Sequence, residues 1–115
     1  YINDAYLNWY RTQTEPMKPQ PDSWLSNIGT LWARRAPGMT CMGALENIAN
    51  GFDVDNNSKG GVMRVAPIGI FNATHRHIYN YTDTAHLAGW SAELTHKHIA
   101  STFASVWFSF PFQWL

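Results

Sequence analysis

Cysteine is nearly missing from this sequence: with one in 115 residues, Cys41 can close no internal disulfide and no thiolate metal cluster can form. That usage suits a reducing, cytoplasmic compartment. Charge is scarce and balanced, eight Lys and Arg against eight Asp and Glu, for a formal net charge of zero. No overall field draws the chain to nucleic acid or to an anionic membrane, and neither partner is expected. Long apolar runs are also lacking. The most apolar stretch, residues 99–115, carries no charge, but it contains three serines, a threonine, a glutamine and Pro111 and falls short of the ~20 apolar residues that span a bilayer. A buried helix is expected there. No segment alternates at period two, so no strand is expected. The opening lacks a basic leader, Tyr1 stands where an initiator methionine would, and the end lacks a polar tail, so the chain is expected to be a fragment.

What is present favours helices. Ile2, Ala5, Tyr6, Trp9 and Tyr10 recur at helical spacing behind Asn3 or Asp4 as a cap. Pro16, Pro19 and Pro21 then impose an extended connection. Asp22 or Ser23 is expected to cap a second helix carrying Trp24, Leu25, Ile28, Leu31 and Trp32, with Arg34 and Arg35 at its C-terminal dipole. Thr40 is expected to cap a third with Cys41, Leu45, Ile48 and Ala49 on one stripe and Gly51 as its stop. Pro67 fits the first turn of a short helix through Phe71, residues 72–82 read as a polar turn, and Thr82 or Asp83 would cap a helix through Leu94. Ala85, Ala88 and Ala92 on one face of it would permit close packing. A last helix covers 99–109. The expected fold is all-α, one orthogonal multi-helix domain spanning residues 1–115. Six Trp, six Phe and five Tyr predict an extensive aromatic core.

The stretch from Asn56 to Gly69 differs in kind from the rest. It joins side-chain amides, a hydroxyl, the pair Gly60-Gly61 and Arg64 to an abrupt apolar continuation. A glycine pair lets backbone approach a ligand, and a loop opening onto a helix N-terminus offers N–H groups to an anion. Gly60-Gly61 lacks the spacing of a P-loop or a dinucleotide fingerprint and reads equally as a tight turn. Asp53 to Ser58 begins like a calcium loop, but its glycine comes too late and Arg64 stands where the closing glutamate belongs. The tetrapeptides Thr74-His75-Arg76-His77 and Thr95-His96-Lys97-His98 invite a zinc site, yet no carboxylate or thiol is placed to complete four ligands. Asn72-Ala73-Thr74 and Asn80-Tyr81-Thr82 match glycosylation sequons that carry no weight without secretion.

Asn56-Asn57-Ser58-Lys59-Gly60-Gly61-Val62-Met63-Arg64-Val65-Ala66-Pro67-Ile68-Gly69, followed by Ala92-Glu93-Leu94-Thr95-His96-Lys97-His98, resembles the central part of the ADP-ribosylglycohydrolase family. Ala5-Tyr6-Leu7 with Trp9-Tyr10, Arg35-Ala36-Pro37-Gly38 before Thr40, and Ala44-Leu45 support the resemblance in the same order. It implies an all-helical fold and hydrolysis of the glycosidic bond between ADP-ribose and an acceptor. It also implies substrate-binding roles for Asn57, Ser58, Lys59, Gly60, Gly61, Val62, Met63, Arg64 and His96, with backbone N–H groups near the glycines meeting phosphate oxygens. The complete family enzyme is expected to use Mg2+, but its metal motifs lie outside these matching segments and no metal ligand or catalytic residue is assignable to this chain. Ser58-Lys59-Gly60-Gly61 is two residues shorter than the family's usual Ser-Lys-Gly-Cys-Gly-Gly, and Met39 replaces a usual asparagine. The partner expected is ADP-ribose or an ADP-ribosylated substrate, with self-association through the apolar C-terminus as a further expectation. The alternative is a non-catalytic helical module retaining a vestigial pocket.

Overall fold

The computed structural model describes residues 2–111. Five α-helices follow one another: α1 (Ile2–Thr14), α2 (Met39–Ala49), α3 (Ala66–Thr74), α4 (Tyr81–Glu93) and α5 (Ile99–Ser109). Three 3-10 turns intervene at Leu25–Asn27, Gly29–Leu31 and Gly60–Arg64. The described residues contain no strand, so the fold is all-α, and no helix among them is long and apolar enough to cross a membrane. The chain divides into two compact units, Tyr1–Asp53 and Val54–Leu115.

In the first unit, the expected stripe on α1 is half-buried, and Thr12 is the residue that becomes fully buried. Its hydroxyl donates to the Trp9 carbonyl at 2.7 Å, which satisfies it within the helix. The helix expected over residues 22–32 does not form, and two 3-10 turns replace it. The cause is local competition for the backbone. Ser23 Oγ accepts the Ser26 N–H at 3.3 Å, and the Ser23 carbonyl accepts both Ser26 Oγ at 2.9 Å and Asn27 Nδ2 at 3.1 Å. Those bonds give the segment an alternative to the helical ladder, and Trp24 is left 72% exposed. Gly38, not Thr40, occupies the N-cap of α2. Of the stripe expected on α2 only Leu45 is fully buried, together with Met42 and Ala44. Gly51 ends the element with φ 77°, the left-handed conformation glycine adopts at little cost.

In the second unit, Pro67 sits in the first turn of α3, and that helix runs three residues past Phe71 to Thr74. The cap of α4 is Asn80, earlier than Thr82 or Asp83. Asn80 Oδ1 accepts the Asp83 N–H and Asp83 Oδ2 accepts the Asn80 N–H, each at 2.9 Å. This reciprocal box satisfies two donors that the helix start would leave unmet. Thr84, Ala88, Gly89, Ser91 and Ala92 form the buried face of α4.

Two expectations about the core are corrected. The last helix forms as expected, but its buried residues are Ser101, Ser105 and Ser109, while Ile99, Phe103, Trp107 and Phe108 are exposed. Residues 112–115 of that stretch lie outside the described residues. No Trp, Phe or Tyr is fully buried among the described residues. The reason lies in the partner surface: α5 packs on α4 and on the 60–64 turn, whose facing residues are glycine and alanine. Only small side chains fit such a seam. Ser105 Oγ donates to the Ser101 carbonyl and Ser109 Oγ to the Val106 carbonyl, both at 2.7 Å, so those hydroxyls are buried without loss of hydrogen bonds.

The capping box carries a direct prediction. Asn80→Ala should cost about 1 kcal/mol of stability, read as a lower urea midpoint with an unchanged slope. An unchanged midpoint would show that the cap contributes nothing.

Candidate functional site

The 3-10 turn Gly60–Arg64 is held from three directions. Gly61 is buried, and its N–H donates to Ser101 Oγ on α5 at 3.1 Å. A Cβ placed on Gly61 would lie 2.5 Å from Ser101 Oγ, 2.7 Å from Ala92 Cβ and 3.0 Å from Ala92 Cα. Glycine is required here because the turn's backbone presses on two helices. A Cβ on Gly60 would come 3.0 Å from His96 Nε2 and 3.1 Å from the Met63 methyl. The glycine pair is thus a packing device at Gly61, where the backbone N–H is already taken up within the protein. Gly60 is half-buried and borders an imidazole.

Arg64 fastens the other end of the turn. Its Nη2 donates to the Ser91 carbonyl and to Thr95 Oγ1, the latter at 2.6 Å. Guanidinium bonds of this kind are among the stronger hydrogen bonds in proteins, because one partner is charged. Thr95 Oγ1 also lies 2.9 Å from His96 Nδ1. With its hydroxyl oxygen accepting from Arg64, Thr95 keeps one O–H, which donates to Nδ1 in one of the two His96 tautomers. In that tautomer Nε2 of His96 carries the other hydrogen on the side of Gly60. Burial, and then the Arg64 charge, lower the His96 pKa from its ordinary value of 6.5. His96 is 5% exposed, and both effects favour its neutral form.

Upstream, Asn56 ties the loop to the segment after α4. Its Nδ2 donates to the Thr95 carbonyl at 2.9 Å, and its Oδ1 accepts from the backbone N–H groups of Ser58 and Lys97 at 3.1 and 3.2 Å. The Ser58 carbonyl accepts the His98 N–H at 3.3 Å. His98 caps α5, with Nδ1 accepting from the Ala100 N–H at 3.0 Å. His96 and His98 therefore face different tasks, one beside the glycine turn and one at a helix start.

Of the residues expected to form the site, Gly60, Gly61, Arg64 and His96 converge on the end of α4, and Ser58 joins them through its backbone. Asn57, Lys59 and Met63 are exposed along the same loop, and Val62 is half-buried. Ser101, Ser91 and Thr95 complete the arrangement. Sequence reasoning missed Ser101, whose signal is a serine placed opposite a glycine across forty residues, a spacing no periodicity reveals.

A metal centre does not fit these residues. Among the described residues, no three of His, Cys, Asp and Glu lie close enough to hold an ion, and the charged group at the centre of the site is the Arg64 cation. The second unit thus presents a glycine turn clamped by arginine beside a buried histidine. The sequence profile of the ADP-ribosylglycohydrolase family matches residues 2–110, and the chain belongs to that family. No curated protein and no solved structure matches it.

Gly61→Ala should destabilise the second unit by roughly 1–3 kcal/mol through overpacking, and Ser101→Ala by a similar 1–3 kcal/mol through the orphaned Gly61 N–H. Urea unfolding checks both, and a neutral Gly61→Ala would refute the close approach. His96 binds its proton less readily folded than unfolded, so its contribution is present above pH 6.5, the unfolded value, and is lost as pH falls below it. Stability compared at pH 7.5 and 5.5 should fall in the native chain and fall less in His96→Gln. An identical loss in both would remove His96 from the account.

Proposed function

We propose that this chain supplies the substrate cradle of an ADP-ribosylglycohydrolase: the loop from Asn57 to Arg64, with His96, receives the ribose and diphosphate of ADP-ribose. The observation that carries this reading is the fixed association of Gly60, Arg64 and His96 at the end of α4 in a chain of that family. Lys59 is exposed on this loop and offers a mobile cation to a phosphate. The Nε2–H of a neutral His96 offers a donor to a hydroxyl or phosphate oxygen without adding charge. Gly61 contributes shape, since its N–H is committed to Ser101.

The reaction implied is hydrolytic. Water adds across the bond between the anomeric carbon of ADP-ribose and its acceptor, the hydroxyl going to carbon and the proton to the departing acceptor atom, while positive charge develops at the ring. In this reading the chain's own residues bind and orient, and magnesium chemistry belongs to segments other than those described. The alternative, a non-catalytic binding module, is favoured by one observation, the lack of a metal-holding group among the described residues.

Calorimetry with ADP-ribose, with and without EDTA, tests the cradle. Binding that survives EDTA and weakens tenfold or more in Lys59→Ala is the expected result. No heat at millimolar ADP-ribose would sink the reading. Release of ADP-ribose from a modified protein in magnesium, measured on the same sample, separates enzyme from module.

A further inference from the structure

The proposed cradle uses His96 as a donor at Nε2, and the residue beside it selects that form. Thr95 is fully buried, and its backbone is held on both sides. The N–H groups of Thr95 and His96 go to the Ala92 carbonyl at 3.3 and 2.9 Å, and the Thr95 carbonyl accepts Asn56 Nδ2 at 2.9 Å. A β-branched side chain on so fixed a backbone has little freedom at χ1. Its Oγ1 therefore stands at a set point between Arg64 Nη2, 2.6 Å away, and His96 Nδ1, 2.9 Å away.

The direction of each bond follows from what the three groups can give. A guanidinium has only donors, so Arg64 donates and Thr95 Oγ1 accepts. Thr95 keeps one O–H, and among the described residues Nδ1 is the acceptor that Oγ1 meets. Were the ring proton on Nδ1, that nitrogen would also donate to Oγ1, and a buried hydroxyl would hold its hydrogen without an acceptor, at the full cost of its desolvation. A neutral imidazole carries one ring N–H, and with Nδ1 accepting it is on Nε2. Nε2 lies on the Gly60 side, 3.0 Å from where a Cβ on that glycine would stand. It makes no hydrogen bond within the described residues and is not among their buried unsatisfied atoms, so this edge of the ring reaches solvent.

We propose that Thr95 is a positioning residue for the cradle: oriented by Arg64, its hydroxyl holds His96 in the form protonated at Nε2. The accessible edge of the ring is then a hydrogen-bond donor, with no lone pair there to take a proton from water. Its ligand is an oxygen acceptor, the chemistry of a phosphate. The identity of that ligand rests on the cradle reading, whereas the place of the proton is a property of the chain alone.

The test is a long-range proton–nitrogen NMR correlation of the full, ligand-free chain with isotopically labelled histidine, under mildly alkaline conditions where the ring is neutral. The His96 signals are assigned by their loss in His96→Gln. A pyridine-type shift at Nδ1 and a pyrrole-type shift at Nε2 are expected in the native chain and in Thr95→Ser, which retains the hydroxyl. In Thr95→Val, which keeps the shape and removes the O–H, the two shifts should move toward each other as both forms become populated. ADP-ribose binding should weaken about tenfold in Thr95→Val and stay near native in Thr95→Ser. A pyrrole-type Nδ1 in the native chain, or a native pattern that survives Thr95→Val, would overturn the proposal. Should Thr95→Val not fold, the native and Thr95→Ser spectra still decide, since a pyrrole-type Nδ1 in either is fatal to it. A native chain that shows the expected spectrum and binds no ADP-ribose defeats the cradle and leaves the role of Thr95 at His96 standing.

Discussion

The second unit depends on one close approach, that of the Gly61 backbone to Ala92 and Ser101. With the turn seated there, Arg64 reaches the Ser91 carbonyl and Thr95 Oγ1, and Thr95 in turn orients His96. Moving the turn outward by the width of a methyl group would lengthen each of these bonds in sequence. Packing at a glycine thus sets the electrostatics at a histidine. The same contact explains why α5 buries serines: a helix opposed by backbone and alanine has no volume to give to an aromatic ring.

Much of this fold can be read from the sequence because helical spacing is a strong local signal. The limits of α5, the left-handed stop at Gly51 and the alanine face of α4 all follow from it. The segment 22–32 misleads for an identifiable reason. Trp24, Ile28, Leu31 and Trp32 keep a helical period, but Ser23, Ser26 and Asn27 bond to nearby backbone and win. The Asn80 cap was masked by Thr82 and Asp83, which look equally suited to the task until the reciprocal bonds are seen. The aromatic core failed for a different reason, since composition counts rings but says nothing of which face of a helix they occupy.

The candidate site was legible in its list of residues and less so in their division of labour. Gly60, Arg64 and His96 do meet, but Gly61 serves the interior. The residues that hold the loop, Asn56, Ser91, Thr95 and Ser101, are small and polar and scattered over more than forty positions. Such residues carry no periodicity, and their role exists only once the chain has folded. The clamp bonds of Asn56, Gly61 and Arg64 hold the loop in place from within the second unit.

The α4–α5 seam also limits how the protein can vary. At its tight end the Gly61 backbone presses on Ala92 and Ser101, where even a methyl group would collide. A core of leucines can exchange size for size, but a contact at the lower bound, such as that of Gly61, can change only by growing, and growth forces the turn and the helices apart. Most substitutions along it therefore act in one direction, and relief from any one of them has to come from a shift of a whole helix rather than from a neighbouring side chain.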